Sequence, residues 1–132
     1  QNLVFLCLIM VLAWSLSSIC KDLRTGYYLA ALIGDTISPS FIPPIVFMLG
    51  AIMSFATGSS YGTFAILLII VIPVAYTLNA PLELTIAAVL SGGLFGDHTS
   101  PISDTTVLAS MGADCPHIDH VTTQFSYAIK IF

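Results

Sequence analysis

A short polar run, FGDHTSPISDTT (95–106), interrupts a chain in which 57% of the residues are hydrophobic and only 8% are charged. Within it lie two carboxylates, Asp97 and Asp104, and five hydroxyls, Thr99, Ser100, Ser103, Thr105 and Thr106. Carboxylate, hydroxyl and free carbonyl oxygens are the donors that small hard cations prefer, and no soft ligand is needed. A carboxylate at membrane depth costs about 2.5–3.5 kcal/mol on insertion scales, so its presence there asks for a function or a partner. The competing reading is an interfacial loop with ordinary caps and solvated acids. His98 adjoins Asp97. Its imidazolium would add positive charge near such a site, and its neutral ring would serve as a hydrogen-bonding partner for the acid.

The elements that must position these groups are membrane-like. The chain has 132 residues, seven acids and three bases. This composition belongs to membrane proteins and lacks the basic footprint of a nucleic-acid binder. LVFLCLIMVLAWSLSSIC (3–20) carries no charge over 18 residues, enough for a helix to cross a ~30 Å hydrocarbon core. Further apolar runs follow, so we read it as a span rather than a signal peptide. The start on Gln1 and the end within an apolar stretch are expected of a fragment of a longer protein. Lys21 and Arg24 favour a cytoplasmic loop after the first span. Trp14, Tyr27, Tyr28 and Tyr76 read as interface anchors or packing residues, and Glu83 as part of a short connection. Cys7, Cys20 and Cys115 form no regular framework, so disulfides are not expected.

The expected spans are 3–20, 27–57 with an interruption at 35–43, 64–82, 84–111 broken at 96–100, and the start of another at 121–132. Pro43 or Pro44 suits the first turn of a helix. The apolar stretch 45–78 would make a helix of about 51 Å, so it must turn, and ATGSSYGT (56–63) is where Gly58 and Gly62 permit it. Ser59, Ser60 and Thr63 would add hydroxyls or close packing near the site. The run 84–95 looks like half a span, loosened at its end by Gly92 and Gly93. Pro101 disfavours helical angles at Ser100, and a fresh helix is expected from Pro101 to about Met111, with Ser100 as its cap and Gly112 as its stop. Such a break would set free carbonyls of one half-helix against free N–H groups of the next, which is how transporters build ion sites. GDTISP (34–39) and GDHTSP (96–101) share four residues at a spacing of 62, a similarity that biased composition also produces.

Two other patterns have weaker context. DCPHIDH (114–120) clusters Cys115, His117 and His120 with Asp114 and Asp119, but the spacing matches no standard zinc site. A polar loop with pH-responsive histidines is the simpler reading. GSSYG (58–62) fits the serine-hydrolase elbow, with Ser60 as nucleophile and His98 as base, yet that motif needs a strand before it and apolar helical runs flank it here. An aspartyl pair of Asp35 and Asp97 is the other remote hydrolytic arrangement.

GDHTSPISDTTVLASMGADCPHIDHVTTQFSYA (96–128) resembles the signature of the NhaC-type sodium/proton antiporters, and SFATGSSYGTFAIL (54–67) resembles a second segment of that family. The resemblance implies a bacterial inner-membrane secondary transporter, of which this chain is part of the later half. It implies roles for Asp97 in the G-D element and for Ser100, Ser103, Asp104, Thr105 and Thr106 in SPISDTT. GDTISPS (34–40) departs from the expected family sequence. The family also contains exchangers of organic solutes, including malate/lactate antiporters. The expectation is therefore an all-α polytopic membrane protein with broken helices and an inverted-repeat plan, exchanging sodium for protons at Asp104, or next at Asp97. A single carboxylate that holds either ion but not both couples the two gradients. Lipid, sodium and protons are the expected partners and no cofactor is called for. Exchange of an organic anion or amino acid is the alternative, and an intramembrane hydrolase at Ser60 a remote one.

Overall fold

The computed structural model describes residues 11–12, 15, 18–34 and 37–131. Every regular element among them is helical: α1 (Thr25–Ile33), a 3-10 turn (Pro39–Phe41), α2 (Ile42–Thr57), α3 (Ser60–Thr77), α4 (Leu82–Thr99), α5 (Asp104–Gly112) and α6 (His117–Ile131). The expected first span, with Cys7 and Trp14, falls largely outside the described residues, as do Asp35 and Thr36 of the six-residue similarity.

Proline and glycine set the boundaries. Pro43 and Pro44 lie in the first turn of α2, where their missing N–H groups leave no bond unmade. At the other end Gly58 takes the left-handed conformation, φ 65° and ψ 24°, and its N–H closes on the Ser54 carbonyl at 2.8 Å. Extended Ser59 follows and caps α3, its Oγ accepting from the Gly62 N–H at 3.5 Å. The turn within 56–63 is therefore made by Gly58 and Ser59. Gly62, expected to help break the chain, lies inside the first turn of α3. The stretch Pro39–Thr57 has 19 residues and α3 has 18, each apolar and long enough to cross a bilayer core at 1.5 Å per residue.

Two expectations about α4 are corrected. It is an 18-residue helix from Leu82 to Thr99 rather than a 12-residue half span. It also continues unbroken through Gly96, Asp97, His98 and Thr99, so the break lies at Ser100–Ser103 and not at 96–100. Proline's effect reaches one residue back: Ser100 is extended, φ −75° and ψ 128°, while Thr99 is helical and returns its hydroxyl to the Phe95 carbonyl at 2.8 Å. The cap moves correspondingly. Ser103, not Ser100, caps α5, which starts at Asp104 and ends at Gly112.

The core consists of Ala30, Ile42, Val46, Leu67, Val71, Val74, Ala75, Ala80 and Val89, and it joins α1 to α4. The most extensive pairing is α2 with α4. A Cβ on Gly92 would run into the Phe47 carbonyl, one on Gly96 would run into the Ala51 carbonyl, and Ser100 Oγ donates to the Phe55 carbonyl at 2.8 Å. These contacts share a constant offset of 45 residues, so α2 and α4 run parallel in one register. Gly92-x-x-x-Gly96 is thus a small-residue contact stripe of the kind that brings membrane helices close. Met48, Leu49, Ile52, Leu90 and Leu94 lie exposed on the outer sides of this pair, surfaces that suit lipid or other helices.

Candidate functional site

Parallel packing brings the C-terminal ends of α2 and α4 side by side, and both present carbonyl groups to the break. Ile102 lies against Gly58: a Cβ on that glycine would sit 2.7 Å from the Ile102 carbonyl oxygen. The turn after α2 therefore supports the break after α4.

Asp97 lies three residues before the break and is 3% exposed. Its Oδ1 is 2.9 Å from Ser103 Oγ and its Oδ2 is 3.1 Å from Thr105 Oγ1. The two hydroxyl oxygens are themselves 2.8 Å apart, and Ser103 Oγ also accepts the Thr105 N–H at 3.2 Å. The carboxylate and two hydroxyls form a closed ring of oxygens across the break. Ser103 is fully buried and Thr105 borders the exposed side.

The other expected site residues divide. Ser100 is buried and spends its hydroxyl on the Phe55 carbonyl. Thr106 is 1% exposed and its Oγ1 has no hydrogen-bond partner among the described residues. A buried hydroxyl left so costs about 1–3 kcal/mol. Asp104 is exposed in the first turn of α5, where a negative charge interacts favourably with the helix dipole. Asp97 rather than Asp104 is the acid that the hydroxyls surround. His98 is exposed, and its Nδ1 lies 3.1 Å from the Leu94 carbonyl; since a carbonyl only accepts, that nitrogen carries the hydrogen. Its ring is tied to its own helix and has no bond to Asp97.

Around the supporting turn, Thr63 returns its hydroxyl to the Ser59 carbonyl at 3.1 Å, and Ser60 is 5% exposed at the start of α3. Helices α2 and α3 flank Ser60, so the strand that a hydrolase elbow needs is replaced by helix. Among the described residues no three His, Cys, Asp or Glu side chains converge as a metal site. His117 from the 114–120 cluster has a different connection: Nε2 donates to the Pro101 carbonyl at 2.7 Å, and Nδ1 is 3.1 Å from Ser110 Oγ. It ties the break to the start of α6, a link that no local spacing announces.

Comparison with known proteins places these residues in a lineage. The Na+/H+ antiporter family matches residues 1–132. An uncharacterised protein of Haemophilus influenzae is 48% identical over 126 residues, covering 93% of this chain and 24% of that protein. The malate-2H(+)/Na(+)-lactate antiporter of Bacillus subtilis is 40% identical over 97 residues, covering 70% of this chain and 21% of the relative. The Na(+)/H(+) antiporter NhaC of Bacillus subtilis is 39% identical over 87 residues, covering 62% and 19%. The chain thus spans about a fifth to a quarter of the length of these relatives. No solved structure matches it. With a family match over its whole length, on helices built to cross a bilayer, the chain belongs to the Na+/H+ antiporter family and is an all-helical polytopic membrane protein.

Proposed function

We propose that the protein exchanges sodium for protons across a bacterial plasma membrane, as a multi-pass secondary transporter, and that Asp97 carries the exchange. The observation behind this reading is the number of hydrogens available to the oxygen ring. Three oxygen–oxygen contacts of 2.8–3.1 Å join Asp97, Ser103 and Thr105. With Asp97 ionised, the two hydroxyls supply two hydrogens, and both go to the carboxylate. The Ser103–Thr105 contact is then left with facing lone pairs. Protonation of Asp97 supplies the third hydrogen and closes the ring: the acid donates to one hydroxyl, that hydroxyl to the other, and the second hydroxyl back to the carboxylate.

The ionised ring presents a net negative charge and hydroxyl lone pairs together, a donor set that suits sodium. Binding one ion removes the arrangement that holds the other, so exchange follows by competition. The carbonyl ends of α2 and α4 add negative potential on the same side. Thr106 offers a further oxygen. Asp104 would act from the exposed turn as a neighbouring charge and not as the carrier. The name of the malate/lactate relative favours a second reading, in which an organic anion moves with or instead of sodium.

Sodium-dependent proton flux by the intact transporter in proteoliposomes tests both. Asp97→Asn closes the ring with an amide hydrogen in place of the carboxylic one, so the variant inserts normally and does not exchange. Asp104→Asn keeps exchange. Wild-type flux in Asp97→Asn overturns the assignment, and flux that requires added malate or lactate favours the second reading.

A further inference from the structure

Hydroxyls in apolar helices ordinarily satisfy themselves on their own backbone. Thr57, Thr63, Thr77, Thr85, Ser91 and Thr99 all do so here, each donating to a carbonyl three or four residues back or, for Thr57, to neighbouring carbonyls as well. Ser54 does not. It sits in the middle of α2's last turns with 0% exposure, yet its Oγ has no hydrogen-bond partner among the described residues. An apolar side chain of the same size would fill that position without leaving a hydroxyl unbonded.

The packing of α2 on α4 tells where this hydroxyl lies. A Cβ on Gly50 would come within 3.3 Å of the Gly93 backbone nitrogen, so these two residues mark one flank of the helix contact. Ser54 follows Gly50 by four residues and Asp97 follows Gly93 by four. Because the helices are parallel and in a fixed register, moving up one turn on each carries that flank from the glycine pair to Ser54 and Asp97. A second observation brackets the same level: the Phe55 carbonyl accepts the Ser100 hydroxyl. The register thus sets Ser54 of α2 level with Asp97 along the α2–α4 contact, while the Ser103–Thr105 pair reaches the Asp97 carboxylate from the break and α5.

We infer that Ser54 is a further cation-binding residue, its hydroxyl oxygen a direct sodium ligand that completes the set formed by Asp97, Ser103, Thr105 and Thr106. This rests on Asp97 being the exchange carboxylate. It also makes Ser54 a determinant of specificity. Removing one oxygen lowers the number of ligands offered, which penalises sodium more than the smaller lithium ion, since selectivity among hard cations follows ligand number and cavity size.

The test measures sodium- and lithium-dependent proton flux by the intact transporter in proteoliposomes, for wild type, Ser54→Ala, Ser54→Cys and Asp97→Asn. Ser54→Ala removes the oxygen at little structural cost, and Ser54→Cys keeps the side-chain shape at slightly larger volume while replacing oxygen with sulfur. Both raise the sodium KM about tenfold, the scale of one lost bond to a charged partner, and raise the lithium KM less, with maximal rate near wild type. An unchanged sodium KM, or lower rate and abundance with an unchanged sodium-to-lithium ratio, overturns the ligand role and leaves Ser54 a packing residue. Failure of both variants to accumulate has the same meaning. Asp97→Asn separates the two levels of the argument: exchange that survives in it removes the underlying reading whatever Ser54 does.

Discussion

Replacing Gly58 by alanine tests whether the turn after α2 supports the break after α4. Gly58 has φ 65°, a conformation that costs an L residue about 1–2 kcal/mol. The new Cβ would also lie 2.7 Å from the Ile102 carbonyl oxygen and 2.9 Å from its carbon, both backbone atoms that cannot rotate away. Overpacking of this kind costs about 1–3 kcal/mol, so Gly58→Ala is expected to destabilise by about 2–5 kcal/mol in all. Displacing Ile102 also disturbs Ser103, which follows it and bonds Asp97. Gly62 provides the contrast. A Cβ there meets nothing nearer than Ser59 Oγ at 3.9 Å, and the residue is helical, so Gly62→Ala is expected to stabilise by up to about 1 kcal/mol. Thermal unfolding of the purified transporter, followed by sodium titration of proton flux, separates the two. Gly58→Ala unfolds earlier and has a higher sodium KM, whereas Gly62→Ala unfolds at or above the wild-type temperature with unchanged transport. Equal stability and equal KM for Gly58→Ala would refute the close approach and the coupling drawn from it.

Two further outcomes concern protons. If sodium and protons exclude each other from one carboxylate, as proposed, the sodium KM is expected to rise as pH falls, by up to about tenfold per pH unit for a one-for-one competition. A steeper limb in flux measurements at stepped pH would show a second acid titrating with it. His98→Gln leaves this profile unshifted, because the ring is exposed and tied to the Leu94 carbonyl; a displaced profile at normal maximal rate would make the histidine a sensor.

The turn at 58–59 and the prolines that open α2 were legible because glycine and proline act through local backbone geometry. The break was displaced for a related reason. The expected break at 96–100 rests on Gly92, Gly93 and Pro101, but Gly96 sits in the helix where α2 approaches it, and Thr99 satisfies its hydroxyl on that helix. Gly92 and Gly93 were read as loosening a helix end when they form its contact surface. The Gly92-x-x-x-Gly96 spacing was present in the sequence and identifies such a surface only once a partner is known. The choice between Asp97 and Asp104 was beyond the sequence. Both stand among hydroxyls, and the shift of the cap from Ser100 to Ser103 decides which acid those hydroxyls face. Ser54 carries no local signal at all, since its distinction is a bond it does not make.

The glycine seam between α2 and α4 bears on how a transporter of this kind moves. Sliding or turning α4 on α2 would carry the Phe47 and Ala51 carbonyls off Gly92 and Gly96, the two positions where no Cβ stands in their way. The close fit therefore favours movement of the pair as one block. Relative displacement has to fall at Ser100–Ser103, where the chain leaves helix and where Asp97 is held by groups from the far side of the joint. Any hinge motion there stretches or relaxes the bonds to Asp97, so the hydrogen bonding of that carboxylate and the angle between α4 and α5 are mechanically linked.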